Sequence, residues 1–335
     1  AAIIAGFVGT TIQYIRADRE RIRADIEAEA AIEVKNFMID LFKVSDPSES
    51  LGNKILARDI LDRGAKQIPK QLANRPLVQA AMMDAIGNVY SNLGLYKEAE
   101  ELLREAVEIR KRELPTGYDT AASLHHWGVV LDRMGKYEDA ERCHKEGLAI
   151  CERLYGRQDV TTSESLAHLA YVAFNRNRRE EAKRLHEEVL EIRLKLLPAD
   201  DLKIAEALLD LGKIAHAKGD WSAANEKYDS AAATFSRKLG TLDPKLLECR
   251  FLLADLALMR GNFEESRNLH EQVLDSFTKL YGPDDIHVAA CKNNFARLLM
   301  ATGDLDLAES MLRDAMRINE SRLEPDHAQI ASDYN

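Results

Sequence analysis

The sequence predicts an all-α fold, an array of stacked helix hairpins, and three observations predict it. A turn residue recurs at Gly94, Gly135, Asn177, Gly219, Gly261 and Gly303, at a spacing of 41 and then 42 residues. Small residues keep step with it on both sides: Gly87, Gly128, Ala170, Gly212, Ala254 and Ala296 seven places before, and Ala99, Ala140, Ala182, Ala224, Ser266 and Ala308 five places after. The composition suits long regular elements, with 46% of 335 residues hydrophobic, 30% charged, and only 8 prolines and 17 glycines to interrupt them. A strict period of this length marks supersecondary units that cannot bury an apolar face alone and so must stack.

The elements follow in order. Ala1–Ile15 carries no charge, and as a helix would span roughly 22 Å. That is short of the about 30 Å of a bilayer core, so the segment reads as the C-terminal part of a transmembrane helix cut by the start of the chain. The other reading is an apolar helix packed on the repeats. Residues 16–43 are rich in Arg, Glu, Ala and Ile without Gly or Pro, which predicts a helical stalk. Residues 44–76 hold a degenerate unit, with Ala57 standing 42 places before Ala99, expected to cap the array. Residues 77–329 make six repeats. Residues 330–335 match the start of the preceding unit and read as a further, severed repeat.

Each repeat is expected to run helix, tight turn, helix, turn. Gly or Asn at the first turn suits a left-handed backbone at a helix C-terminus. Pro115, Gly156, Pro198, Gly240 and Gly282 stop the second helix. The paired small positions let the two helices approach, and larger side chains would overpack the crossing by roughly 1–3 kcal/mol. Ile86, Trp127, Leu169, Leu211, Leu253 and Phe295 fill the core from the first helices, and Ile109, Ile150, Ile192 and Ile318 from the second. Thr234 and Ser276 stand at that second-helix position in repeats four and five, where softer packing is expected.

Gly87, Gly94, Tyr96, Ala99 and Ala106, followed by Gly128, Gly135, Tyr137 and Ala140, resemble the tetratricopeptide repeat residue by residue. The usual period of that family is about 34. The longer unit here, with endings such as Leu280–Asp285, looks like kinesin light chain repeats. The resemblance implies a solenoid wound as a right-handed superhelix and a use in binding proteins or peptides. A narrower resemblance covers Ala1–Gln71. Its apolar segment, its stalk and the segments Phe37–Pro47 and Ala57–Gly64, followed by long repeats, resemble the C-terminal region of bacterial membrane-anchored serine/threonine protein kinases. This implies a single-pass membrane protein with extracytoplasmic repeats. Arg16, Arg19, Arg21 and Arg23, beside the apolar segment, point instead to a cytoplasmic side.

No catalytic chemistry is read from these residues. There is no Gly-rich phosphate loop, HisArgAsp, AspPheGly, HExxH or GxSxG. No cofactor or metal is expected, and a net charge of −10 disfavours nucleic acid. Cys143, Cys151, Cys249 and Cys291 form no CxxC pair; they read as small core residues, with a disulfide or metal site as the alternative. His144, His186 and His270 occupy a slot that holds Leu103, Tyr228 and Leu312 in other repeats, which marks packing rather than ligation.

A partner is expected in the groove lined by the first helices. At 100° per residue, offsets −6, −3, +1, +4 and +5 from the small residue share one arc. That arc holds Asp84 and Asn88; His125, Asp132 and Arg133; Glu164, Tyr171, Phe174 and Asn175; Glu206 and Lys213; Phe251 and Asp255; and Asn293 and Arg297. Asparagines there can pair with a peptide backbone and aromatic rings can anchor side chains. The leading reading is a scaffold or sensor for a protein or peptide ligand, with self-association possible. The alternatives are a free-standing adaptor and a purely structural or oligomerising module.

Overall fold

The structure is a computed structural model that describes residues 57–322. Among the described residues there are thirteen α-helices and no strand. They are α1 (Ala57–Gln71), α2 (Pro76–Asn92), α3 (Tyr96–Glu113), α4 (Tyr118–Arg133), α5 (Tyr137–Tyr155), α6 (Val160–Asn175), α7 (Arg179–Leu196), α8 (Leu202–Ala217), α9 (Trp221–Leu239), α10 (Pro244–Met259), α11 (Phe263–Tyr281), α12 (Ile286–Thr302) and α13 (Leu305–Arg322). They fall into two compact units divided between Leu154 and Tyr155. The expected membrane segment 1–15, stalk 16–43 and severed repeat 330–335 lie outside the described residues, as does the capping unit before Ala57. Among the described residues no helix is long and apolar enough to cross a membrane.

Within each unit the helices pack as stacked hairpins. In the first, α1 meets α2, α2 meets α3 and α3 meets α4. In the second, α6 pairs with α7, α8 with α9, α10 with α11 and α12 with α13, and each second helix also packs on the first helix that follows. The turn between paired helices is the one the period predicts. Gly94, Gly135, Gly219, Gly261 and Gly303 all have positive φ, and Asn177 joins them at φ 59°. The residue after each then donates its N–H to the carbonyl five places back, as Arg178 does to Ala173 at 2.8 Å and Asp220 to Ala215 at 3.0 Å. This closure satisfies carbonyls that a helix C-terminus otherwise leaves open.

The start of each first helix in the second unit carries a cap that the period also sets. Asp159, Asp201, Asp243 and Asp285 stand 42 residues apart. Their carboxylates accept from the N–H of Thr161, Lys203, Lys245 and His287 respectively. Each satisfies an orphan donor and places negative charge at a helix N-terminus.

The small positions work as size complements. A Cβ on Gly87 would fall 2.7 Å from Leu103, one on Gly128 2.5 Å from His144, and one on Gly212 2.5 Å from Tyr228. Where the first helix carries alanine instead, the opposing slot holds His186, His270 or Leu312. His186 and His270 are buried in that slot, as the packing reading expects. The four cysteines are buried and form no disulfide. Burial pushes the thiols up, to about 11 at Cys143 and about 12 at Cys249 and Cys291.

Repeats four and five differ from expectation in one respect. Thr234 and Ser276 are only partly buried, and each hydroxyl donates to the carbonyl four residues back in its own helix. The neighbouring Phe235 and Phe277 are buried instead. That next position is buried in the other repeats as well, as Arg110, Cys151, Arg193 and Asn319, and here it carries a phenylalanine, so the polar side chains at 234 and 276 need no partner in the core.

Candidate functional site

The first helices carry the candidate residues, and the two units treat them differently. In the first unit three of them turn inward. Asp84 is buried; it accepts a hydrogen bond from Ser123 Oγ at 2.7 Å and lies 3.0 Å from His126 Nδ1 and 3.8 Å from Arg110 Nη1. Burial works to raise its pKa, but the His126 and Ser123 bonds and the charges of His126 and Arg110 outweigh it and hold the carboxyl below the usual range. Asn88 donates to the Asp84 carbonyl at 2.9 Å and lies 3.0 Å from His126 Nδ1. His125 is buried and stacked on His144 at 5.3 Å, in space left by Gly147, where a Cβ would fall 2.6 Å from its ring. Asp132 is buried too, while Arg133 is exposed. Asp84, His125 and Asp132 thus lie on the predicted arc and are buried, Asp84 against Ser123, His126 and Arg110, and His125 against His144.

In the second unit the arc stays open, and its charges pair across repeats. Glu164 on α6 accepts from Lys203 on α8, and Glu206 on α8 accepts from Lys245 on α10. Lys213 lies 3.5 Å from Asp210 and 2.7 Å from Glu248. Burial works against its ammonium, but those two carboxylates prevail and hold its pKa above the ordinary value. Asp255 accepts from Arg297 Nη1 at 2.9 Å and lies 3.6 Å from His216 Nε2. Behind this row the buried Arg193 donates to Ser163 Oγ and to the Lys203 carbonyl, 3.9 Å from Glu206.

Between these ion pairs lie apolar footholds. Tyr171 is exposed, at 39%. Phe174 is partly buried against Ala173, Ala182 and Ile214, and Asn175 and Asn293 are partly buried. Phe251 is partly buried and lines a cavity of about 400 Å³ with Glu248, Phe277, Tyr281 and His287. Three of these rings form a cluster: Tyr281 stacks on His287 at 4.6 Å, with Phe277 5.9 Å from Tyr281 and 5.8 Å from His287. The chosen arc misses Lys203, Lys245 and His287, which lie nine places before the small residue. Their common signal is their own 42-residue register.

A tetratricopeptide repeat profile matches residues 78–153, 119–195, 203–279 and 251–321, more than half of the chain. The chain belongs to the tetratricopeptide repeat family. No curated protein matches it. Among solved structures, a putative kinesin light chain from Podosopora anserina is similar at TM-score 0.51 and 21% identity, covering 61% of this chain and 96% of that one. The apo form of RapI is similar at TM-score 0.60 and 12% identity, covering 87% and 98%. A Rap protein complexed with Competence and Sporulation Factor is similar at TM-score 0.58 and 14% identity, covering 92% and 96%. At these identities the likeness is one of fold.

Proposed function

We propose that this chain is a scaffold that binds a protein or peptide partner on the first-helix face of its second unit. One observation carries the reading. On that face the charged side chains pair with one another, whereas Tyr171 and the Phe251 cavity stay open to a ligand. Paired charges at a surface contribute little to affinity, while an aromatic foothold in a cavity supplies the desolvated anchor that binding needs. A Rap protein of similar fold complexed with Competence and Sporulation Factor supports a ligand-binding use of such a stack. Affinity capture from the source cells tests it with Tyr171→Ala and Phe251→Ala, each checked for folding by circular dichroism. Loss of a partner that the Lys183→Ala variant on α7 retains is expected. Undiminished capture by both folded first-helix variants would overturn the reading.

We further propose that Ala1–Ile15 anchors the chain in a membrane, and that the repeats stand on the stalk as the non-catalytic arm of a serine/threonine protein kinase. The residue pattern of Ala1–Gln71 is its whole support. Sequencing the coding DNA upstream of Ala1 tests it. A kinase domain followed by the rest of an apolar helix is expected; a start codon or signal peptide in that place would overturn it.

A further inference from the structure

The ion pairs of the second unit form a ladder with a fixed register. Its glutamates are Glu164, Glu206 and Glu248, each 42 residues after the last, and its lysines are Lys203 and Lys245. Glu164 takes Lys203 from the next repeat, and Glu206 takes Lys245. The Lys245 ammonium also stands 6.0 Å from the centre of the Phe235 ring. That rung is therefore one carboxylate, one ring and one lysine.

One repeat further on, every member of the rung has its counterpart but the cation. Position 206 becomes Glu248, position 235 becomes Phe277, and position 245 becomes His287. His287 turns instead to its own helix cap, with Nδ1 2.7 Å from Asp285 Oδ1, and lies flat against Tyr281. Glu248 pairs backwards with Lys213. Ala290 stands where the earlier first helices carry a ladder glutamate. The space so vacated is the cavity of about 400 Å³ lined by Glu248, Phe251, Phe277, Tyr281 and His287. Its one lysine, Lys245, is already engaged by Glu206.

We propose that this cavity is a site for a basic side chain of the partner, a lysine-type ammonium that supplies the missing rung. It rests on the reading that a partner binds this face. Two features select a cation over an anion or a plain apolar group. Glu248 pairs with Lys213 through Oε1, and its second carboxylate oxygen disfavours an anion and can accept from an ammonium, while the faces of aromatic rings attract a cation once water is displaced. The Glu206–Phe235–Lys245 rung shows the same chemistry satisfied within the chain itself.

The test uses the whole chain and two probes of one shape, n-butylammonium and 1-butanol, followed by the ring signals of Tyr281 and His287 in NMR titrations. The ammonium is expected to move these signals at concentrations about tenfold lower than the alcohol does. Glu248→Gln, folded by circular dichroism, is expected to remove that preference. His287→Lys should fill the site from within, raise the melting temperature and abolish the ammonium response. Equal responses to both probes, or an ammonium response that survives in His287→Lys, would overturn the cation site. So would no response to either probe, and the Tyr171 and Phe251 variants would still decide separately whether a partner binds this face.

Discussion

At the scale of single residues the packing is a matter of paired sizes. Gly212 faces Tyr228 so closely that a methyl group cannot enter without moving the ring. Glycine in a helix costs about 1 kcal/mol relative to alanine, so an open site would gain from Gly212→Ala. Here overpacking should win, and the variant is expected to lose about 1–2 kcal/mol in urea unfolding. Adding Tyr228→Leu recreates the Ala296 and Leu312 pairing of the last repeat, and the double variant should be more stable than the sum of the singles by at least about 0.5 kcal/mol. Ala224, buried completely, should tolerate leucine no better, and Ala224→Leu is expected to lower the melting temperature. The residue scale also shows where reading the sequence stops. An arc of helical offsets says which side chains share a face, not which of them a neighbour draws in. Asp84 and His125 hold the same helical offset in their repeats as Phe251 does in its own, yet Ser123, Arg110, His144 and the gap at Gly147 hold them inside.

At the scale of helices, most of the boundaries are legible because backbone geometry demands particular residues. A left-handed turn takes glycine, or asparagine at Asn177, and that demand repeats with the unit. The aspartate caps obey the same period, and it is the structure that brings them out. Asp243→Ala removes the acceptor for the N–H groups of Lys245 and Leu246 and should cost about 1 kcal/mol, measured as a shift in the urea midpoint. Less legible was the part played by Phe235 and Phe277, one place after Thr234 and Ser276, because that position is buried in every repeat yet holds Arg110, Cys151, Arg193 or Asn319 elsewhere. A hydroxyl can satisfy itself on its own helix, so the polar residue carries no penalty that would announce the change.

At the scale of the whole molecule, buried titratable groups tie stability to pH. Burial lowers the pKa of His186 and His270 below the ordinary 6.5, so the unfolded chain binds protons there that the folded chain refuses. Their contribution is present above that value and is lost as pH falls below it. Asp84, held below its ordinary range, adds a loss at still lower pH. The urea midpoint is therefore expected to be lower at about pH 5 than at about pH 7.5, with His270→Leu reducing the difference. The claim that matters most at this scale is that a partner lies on the first helices of the second unit. Photo-crosslinking tests it most directly, with benzoylphenylalanine placed at Tyr171 on α6 and, separately, at Lys183 on α7. The account predicts a covalent partner from position 171 and none from 183; a partner captured from 183 alone would contradict it.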